Sequence, residues 1–222
     1  MKQAKKIVRI ILTKKRKNCK IVSYRETRFE VVNKIKGNRG TKMFKILGEK
    51  ERVVSKWSGG VTNQLYIYPE NGDYGKRDFK FRISIATTEI EESTFTKLEN
   101  VNRVISILEG KMDLEHVGHH NKTLNRYEID RFKGDWETHS KGKVTDFNLM
   151  IKNGDGDFFF KEVDKKGNIL FSDKDAFGFV FCIDGNLKID EQEIKKGEIL
   201  ITDNKEIAVT GNGKIFYGYI EK

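Results

Sequence analysis

Three of the four histidines in this sequence, His116, His119 and His120, lie within five residues of one another, and the fourth is His139. Such a cluster raises metal binding first, because neutral imidazole is a common ligand for zinc, iron and nickel. A metal site needs ligands that converge in a definite number. The stretch His116 to Asn121 is polar throughout and reads as an exposed loop, so no metal site and no cofactor are expected. A second set of residues suits an anion: Gln64, Arg82, Ser84, Arg103, Asp146 and Asn148. The planar guanidinium can hold both oxygens of a carboxylate at once. An aspartate nearby can offset and orient the arginines, while Ser84, Asn148 and Gln64 supply directional hydrogen bonds. Ser84 has no histidine at a spacing that supports a hydrolytic triad. Nucleophile elbow, phosphate loop and dinucleotide fingerprint are all missing. Trp57 and Trp136 are expected in a β core, and Gly59-Gly60 and Gly134 in turns.

These side chains need strands to position them. From Met43 onward the chain consists of short alternating runs bounded by Gly, Asn and Asp, the pattern of an all-β protein. In Phe79–Ala86, Phe79, Phe81, Ile83 and Ile85 share one face, and Lys80, Arg82, Ser84 and Ala86 the other. Asp146, Asn148 and Met150 likewise oppose Phe147, Leu149 and Ile151. Thr62, Gln64, Tyr66 and Tyr68 line up on one side of another strand. The stretch Glu89 to Asn102 has room for a helical turn or two at most. A faint repeat pairs Val104–Gly110 with Phe179–Gly185, and Gly142–Phe147 with Gly213–Gly218. Asp184-Gly185 predicts a hairpin, and Lys196-Gly197 a turn into a further strand. In a small barrel a polar face is either solvated exterior or pocket lining. Alternation alone leaves both open, the first with an ordinary surface pair of Arg82 and Asp146.

The net charge of +10 resembles that of a nucleic-acid binder until it is located. Residues 1–42 hold 15 Lys/Arg against two acids, whereas the rest holds 28 against 31. The body is close to neutral, which gives no reason to expect a polyanion partner. Residues 1–42 form a basic N-terminal extension, expected to be disordered or a mis-started leader. Its run Ile7–Leu12 is interrupted by Arg9 and too short for a secretory signal. A role for it at an anionic membrane or on nucleic acid is the weaker expectation. No apolar run reaches the ~18 residues of a membrane-spanning helix. Two cysteines, Cys19 and Cys182, without metal or redox spacing point to a reducing compartment, hence the cytoplasm.

The string Trp57-Ser-Gly-Gly60-Val-Thr62-Asn-Gln64-Leu65, followed by Arg82-Ile-Ser84-Ile-Ala86, resembles the opening of the HutD/Ves family. The likeness continues through Val101-Asn102-Arg103, Leu108-Glu109-Gly110, Phe132-Lys-Gly134-Asp135 and Asp146-Phe-Asn148-Leu-Met150. It implies a bicupin, an RmlC-like jelly-roll β-barrel protein with two cupin-like halves, at residues 43–155 and 156–222. It also implies a link, in some members, to histidine utilisation, in a regulatory or ligand-sensing role. Among the two polar-face readings it selects the pocket. Many members carry an acid where this chain has Gln64, which argues against proton transfer there. Metal-binding cupins place His, one residue, His after Gly and five residues; Gly110 and His116 fit, but Gly118 stands at the second position. The expected function is metal-independent, non-catalytic binding of a small carboxylate metabolite. The alternative is a metal-independent isomerase or hydrolase with Asp146 or His139 as general base. The assembly, a homodimer included, is left open.

Overall fold

The computed structural model describes residues 43–172 and 174–222. The basic extension, with Cys19 and every expectation about it, lies outside the described residues. Among the latter no helix is long and apolar enough to cross a membrane.

Among the described residues seventeen strands follow one another, with a single short 3-10 turn at Glu49–Glu51. They are β1 (Phe44–Leu47), β2 (Val53–Trp57), β3 (Gly60–Tyr68), β4 (Phe81–Thr88), β5 (Glu92–Thr94) and β6 (Val101–Gly110). Next come β7 (Met112–His116), β8 (His120–Leu124), β9 (Ile129–Lys133), β10 (Thr138–Lys141), β11 (Val144–Lys152) and β12 (Gly156–Val163). The last five are β13 (Gly167–Leu170), β14 (Ala176–Ile189), β15 (Gln192–Ile194), β16 (Ile199–Thr202) and β17 (Glu206–Glu221). They build a six-stranded sheet in the order β2-β3-β4-β11-β6-β9, a four-stranded sheet β5-β10-β7-β8, and a seven-stranded sheet around β1-β16-β14-β17-β12. The chain is thus all-β, as its alternation predicts. Each sheet is open, however, and none closes on itself into a barrel as expected from the resemblance. β1 lies in the stretch expected to form the first half, residues 43–155, yet joins the seven-stranded sheet by pairing with β16, Phe44 opposite Thr202.

Alternation decides which faces meet. The apolar face of the six-stranded sheet (Phe81, Ile83, Phe147, Leu149, Ile151) packs on the seven-stranded sheet through Phe158, Phe179, Phe181 and Phe216. Burying these side chains stabilises the body by about 1.5–3 kcal/mol for each large residue. Since that face is committed to the neighbouring sheet, the opposite face of β4 and β11 looks toward a cavity.

Two local features depart from the simple alternation. A β-bulge between Gln64 and Tyr66 lets Gln64 oppose Ser84 while Tyr66 opposes Ile83. The extra residue reverses the pleat, so Gln64 stays on the cavity side and Tyr66 joins the core. The expected shared face of Thr62, Gln64, Tyr66 and Tyr68 is split there. The second departure is at Asp184-Gly185, which forms no hairpin: β14 runs through it, with Gly185 opposite Gly213. The turn comes at Asp190-Glu191, both with positive φ (46° and 68°), and Gln192 returns opposite Ile189. Gly185 is there for close approach, since a Cβ on it would lie 2.2 Å from the Asn212 carbonyl oxygen. Gly110 is its counterpart, with a Cβ position 2.6 Å from the Lys143 oxygen. Both follow a register shift, at Leu108 and at Ile183. The faint sequence repeat therefore corresponds to a repeated bulge-and-glycine device.

Candidate functional site

The cavity face of the six-stranded sheet carries its polar residues in rows. Across the strands, Arg82, Met150, Arg103 and Phe132 are in register, as are Gln64, Ser84, Asn148, Ile105 and Asp130. The third row runs Thr62, Ala86, Asp146 and Ile107. Neighbouring strands are ~4.8 Å apart, so Arg82 and Arg103 flank Met150 from strands about 10 Å apart. The structure thus brings all six sequence-predicted residues onto one face. Arg82, Ser84, Arg103, Asp146 and Asn148 are buried and Gln64 is half-buried. The surface ion pair of Arg82 with Asp146 does not form: neither is on the surface, and neither arginine lies within ion-pair distance of Asp146. The four-stranded sheet also lines this open cavity, through Ser93, Thr94 and Ser140, and its volume is about 1300 Å³.

Each arginine is held by its flank. Arg82 donates from Nε to Gln64 Oε1 at 2.9 Å, and its Cζ sits 4.2 Å from the Tyr74 ring centre. That contact uses the Nε edge and leaves the two terminal nitrogens to be shared. The Arg103 Cζ lies 4.6 Å from the Phe95 ring centre and 5.1 Å from that of Phe132. Its Nε and Asn148 Oδ1 are buried with no hydrogen-bond partner in the protein. Guanidinium on an aromatic face gains electrostatic attraction without consuming its N–H donors.

Burial also sets the protonation. Desolvation pushes the Asp146 carboxyl up to about 7, with Arg103 and the hydrogen-bonding side chain of Asn148 acting against it. Burial likewise lowers both arginines, and Arg103 is partly held up by Tyr74 and Asp146. Guanidinium remains charged at neutral pH despite such shifts. The cavity therefore holds two buried cations and one buried acid that titrates near neutrality. Guanidinium N–H donors facing such a cavity are of a kind that can pair with an oxyanion.

Sequence reasoning misses Tyr74 and Phe95, which come from irregular segments with no alternation to read. Trp57, expected in the core, is 40% exposed at the cavity rim. His139 is also at the rim, its Nδ1 3.1 Å from Thr94 Oγ1.

The larger correction concerns His116. It is no part of an exposed loop but ends β7, fully buried, opposite His120 across a turn at Val117–His119. Asp130 of β9 comes between them: its Oδ2 lies 3.0 Å from His116 Nε2 and 3.2 Å from His120 Nε2. Burial pushes the Asp130 carboxyl up, but the hydrogen bonds from both histidines outweigh it and leave it below its ordinary value. His116 Nδ1 is 2.8 Å from Thr138 Oγ1. Lys122 Nζ donates to the Ile129 carbonyl at 2.7 Å and lies 3.6 Å from Asp130 Oδ1. Trp136 stacks on His119 at 3.7 Å and turns its edge toward His116 and His120. Phe132, in contact with both Arg103 and His116, separates this cluster from the arginines.

The HutD family profile matches residues 49–217. Among solved structures, HutD from Pseudomonas fluorescens SBW25 (formate condition) is 22% identical with a TM-score of 0.65, over 81% of this chain and 100% of that one. A conserved protein of unknown function, PA5104 from Pseudomonas aeruginosa PAO1, is 20% identical with a TM-score of 0.67, over 81% and 98%. The bacterial pirin YhhW from Escherichia coli, in complex with nickel(II), is 9% identical with a TM-score of 0.59, over 81% and 99%. These likenesses place the chain among cupin-like all-β folds. No curated relative matches it.

Proposed function

We propose that this chain, which belongs to the HutD family, is a bicupin that binds a small carboxylate metabolite without catalysing a reaction. One observation carries the reading: Arg82 and Arg103 are buried in one cavity, and neither has an acidic partner within ion-pair distance. An uncompensated buried charge is costly, and an anion between the two guanidiniums removes that cost. Gln64 fixes the orientation of Arg82, and Ser84 and Asn148 offer hydrogen bonds beside it, so no metal is needed at these residues. A regulatory or sensing role linked to histidine utilisation fits a binder with no assembled nucleophile.

The test is Arg82→Lys. Lysine keeps the charge but lacks the two-pronged donor and the planar contact with Tyr74. Affinity for a small carboxylate that the wild type binds, found by calorimetric titration of acetate, succinate and related acids, is expected to drop by about 1.5–3 kcal/mol. That is roughly ten- to a hundredfold. The melting temperature without ligand should stay nearly unchanged. Early melting with normal binding would instead make the cluster purely structural.

Asp146 favours a second reading. A buried carboxyl whose pKa is pushed up to about 7 beside a pocket has the properties of a general acid or base. Under that reading the protein turns over its ligand as an isomerase or hydrolase, and Asp146→Asn abolishes turnover while sparing binding. Incubating the wild type with any carboxylate it binds and finding that compound unaltered excludes it.

A further inference from the structure

We propose that His116, His120 and Asp130 form a binding site for one divalent transition-metal ion, divided from the two arginines by Phe132. Its donors come from three strands: His116 ends β7, His120 opens β8 and Asp130 lies in β9. One ligand atom from each side chain falls within 4.8 Å of the others. Two donors at ~2.1 Å from a tetrahedral ion stand about 3.4 Å apart. The two histidine-to-Asp130 separations, 3.0 and 3.2 Å, need to open by only a few tenths of an ångström to admit the ion.

The surroundings suit a cation. Asp130 Oδ2 is shared by both histidines; His120 Nε2 also lies 3.2 Å from Oδ1, the oxygen 3.6 Å from Lys122 Nζ. Thr138 Oγ1 can accept the Nδ1 proton of His116, which directs the Nε2 lone pair inward; metal-ligating histidines commonly have such an outer partner. His116 and Asp130 are buried and walled by Phe132 and Trp136, so competing water is limited. His120, 38% exposed at its side chain, leaves an approach from solvent. Two histidines and one carboxylate are a donor set for zinc or ferrous iron with coordination positions left open. The histidine spacing along the chain fails to reveal the site because its third ligand arrives from β9, ten residues after His120.

The test uses the full chain, stripped with chelator and titrated with Co2+ as a visible-absorbing probe, then with Zn2+ in competition. One ion per chain is expected to bind saturably, and zinc should raise the melting temperature. His120→Ala, at a half-exposed position where folding is preserved, should weaken zinc binding at least tenfold. Thr138→Val should cost about ten- to a hundredfold, as outer partners do. Lys122→Met removes a like charge 3.6 Å from the carboxylate and should tighten binding. That last effect separates a metal site from a hydrogen-bonded His–Asp–His network, which has no cation for Lys122 to repel. Absence of saturable binding by the wild type overturns the proposal. So does binding that His120→Ala leaves unchanged.

Discussion

Phe147→Ala is expected to lower the stability of the folded body by about 3–5 kcal/mol, with one cooperative unfolding transition retained. Phe147 is fully buried on β11, at the centre of the six-stranded sheet, and its ring neighbours belong to the seven-stranded sheet. Its centroid lies 5.1 Å from those of Phe158, Phe181 and Phe216, and 6.1 Å from that of Phe179. Truncation removes the buried ring and leaves a cavity that four rigid aromatic rings cannot collapse to fill. Because the ring joins two sheets, its loss weakens both together. Urea denaturation followed by tryptophan fluorescence and far-ultraviolet circular dichroism should give coincident curves, shifted to lower urea. Two separated transitions would mean that the two sheets unfold independently, contrary to their shared core.

Arg103→Met should be more destabilising, relative to the wild type, at pH 8 than at pH 5. Arg103 is the cation that most strongly opposes the desolvation of Asp146. The two side chains are not within ion-pair distance, so Arg103 acts on Asp146 through its field rather than through a direct contact. The pH dependence follows from Asp146. Its folded pKa, about 7, lies above the ordinary 3.8, so between those values the native state holds a proton that the unfolded chain has released. The contribution of Asp146 to stability therefore declines as pH rises from about 4 to about 7, and then levels off. Without Arg103 its pKa climbs further and the decline extends to higher pH. Denaturation of wild type, Arg103→Met and Asp146→Asn across pH 5–8 checks this. In Asp146→Asn the decline should vanish; its persistence there would assign it to another group. Under the proposed function the same titration bears on ligand affinity, since a charged Asp146 would repel a carboxylate and a protonated one would not.

Much of this arrangement is legible in the sequence. Alternation in Phe79–Ala86 and Asp146–Ile151 sorts polar from apolar residues correctly, because a pleated strand has only two faces. Which face looks into a cavity is a tertiary fact, set when Phe147 and Phe81 meet the aromatics of the seven-stranded sheet. Bulges mark where local pattern stops being informative: one extra residue separates Tyr66 from Gln64. At Gly185 the sequence carries a hairpin signal, yet the backbone needs that glycine for close approach to Asn212. The His116 cluster lies beyond local reading altogether, since its buried carboxylate comes from another strand. Tyr74, on an irregular segment, leaves no periodic trace.

The placement of β1 also bears on how the protein is made. Phe44–Leu47 leaves the ribosome before any other described strand, yet its partner Ile199–Thr202 is among the last. At about 5–20 residues per second, the 158 residues separating Phe44 from Thr202 take roughly 10–30 seconds to synthesise. For that interval the apolar strand Phe-Lys-Ile-Leu has unpaired backbone groups and nowhere to place them. Contacts so distant in sequence also slow folding after release, because closing the loop precedes any gain. Nascent chains should therefore depend on a holdase bound near their start, and a chain truncated before Ile199 should aggregate through that strand.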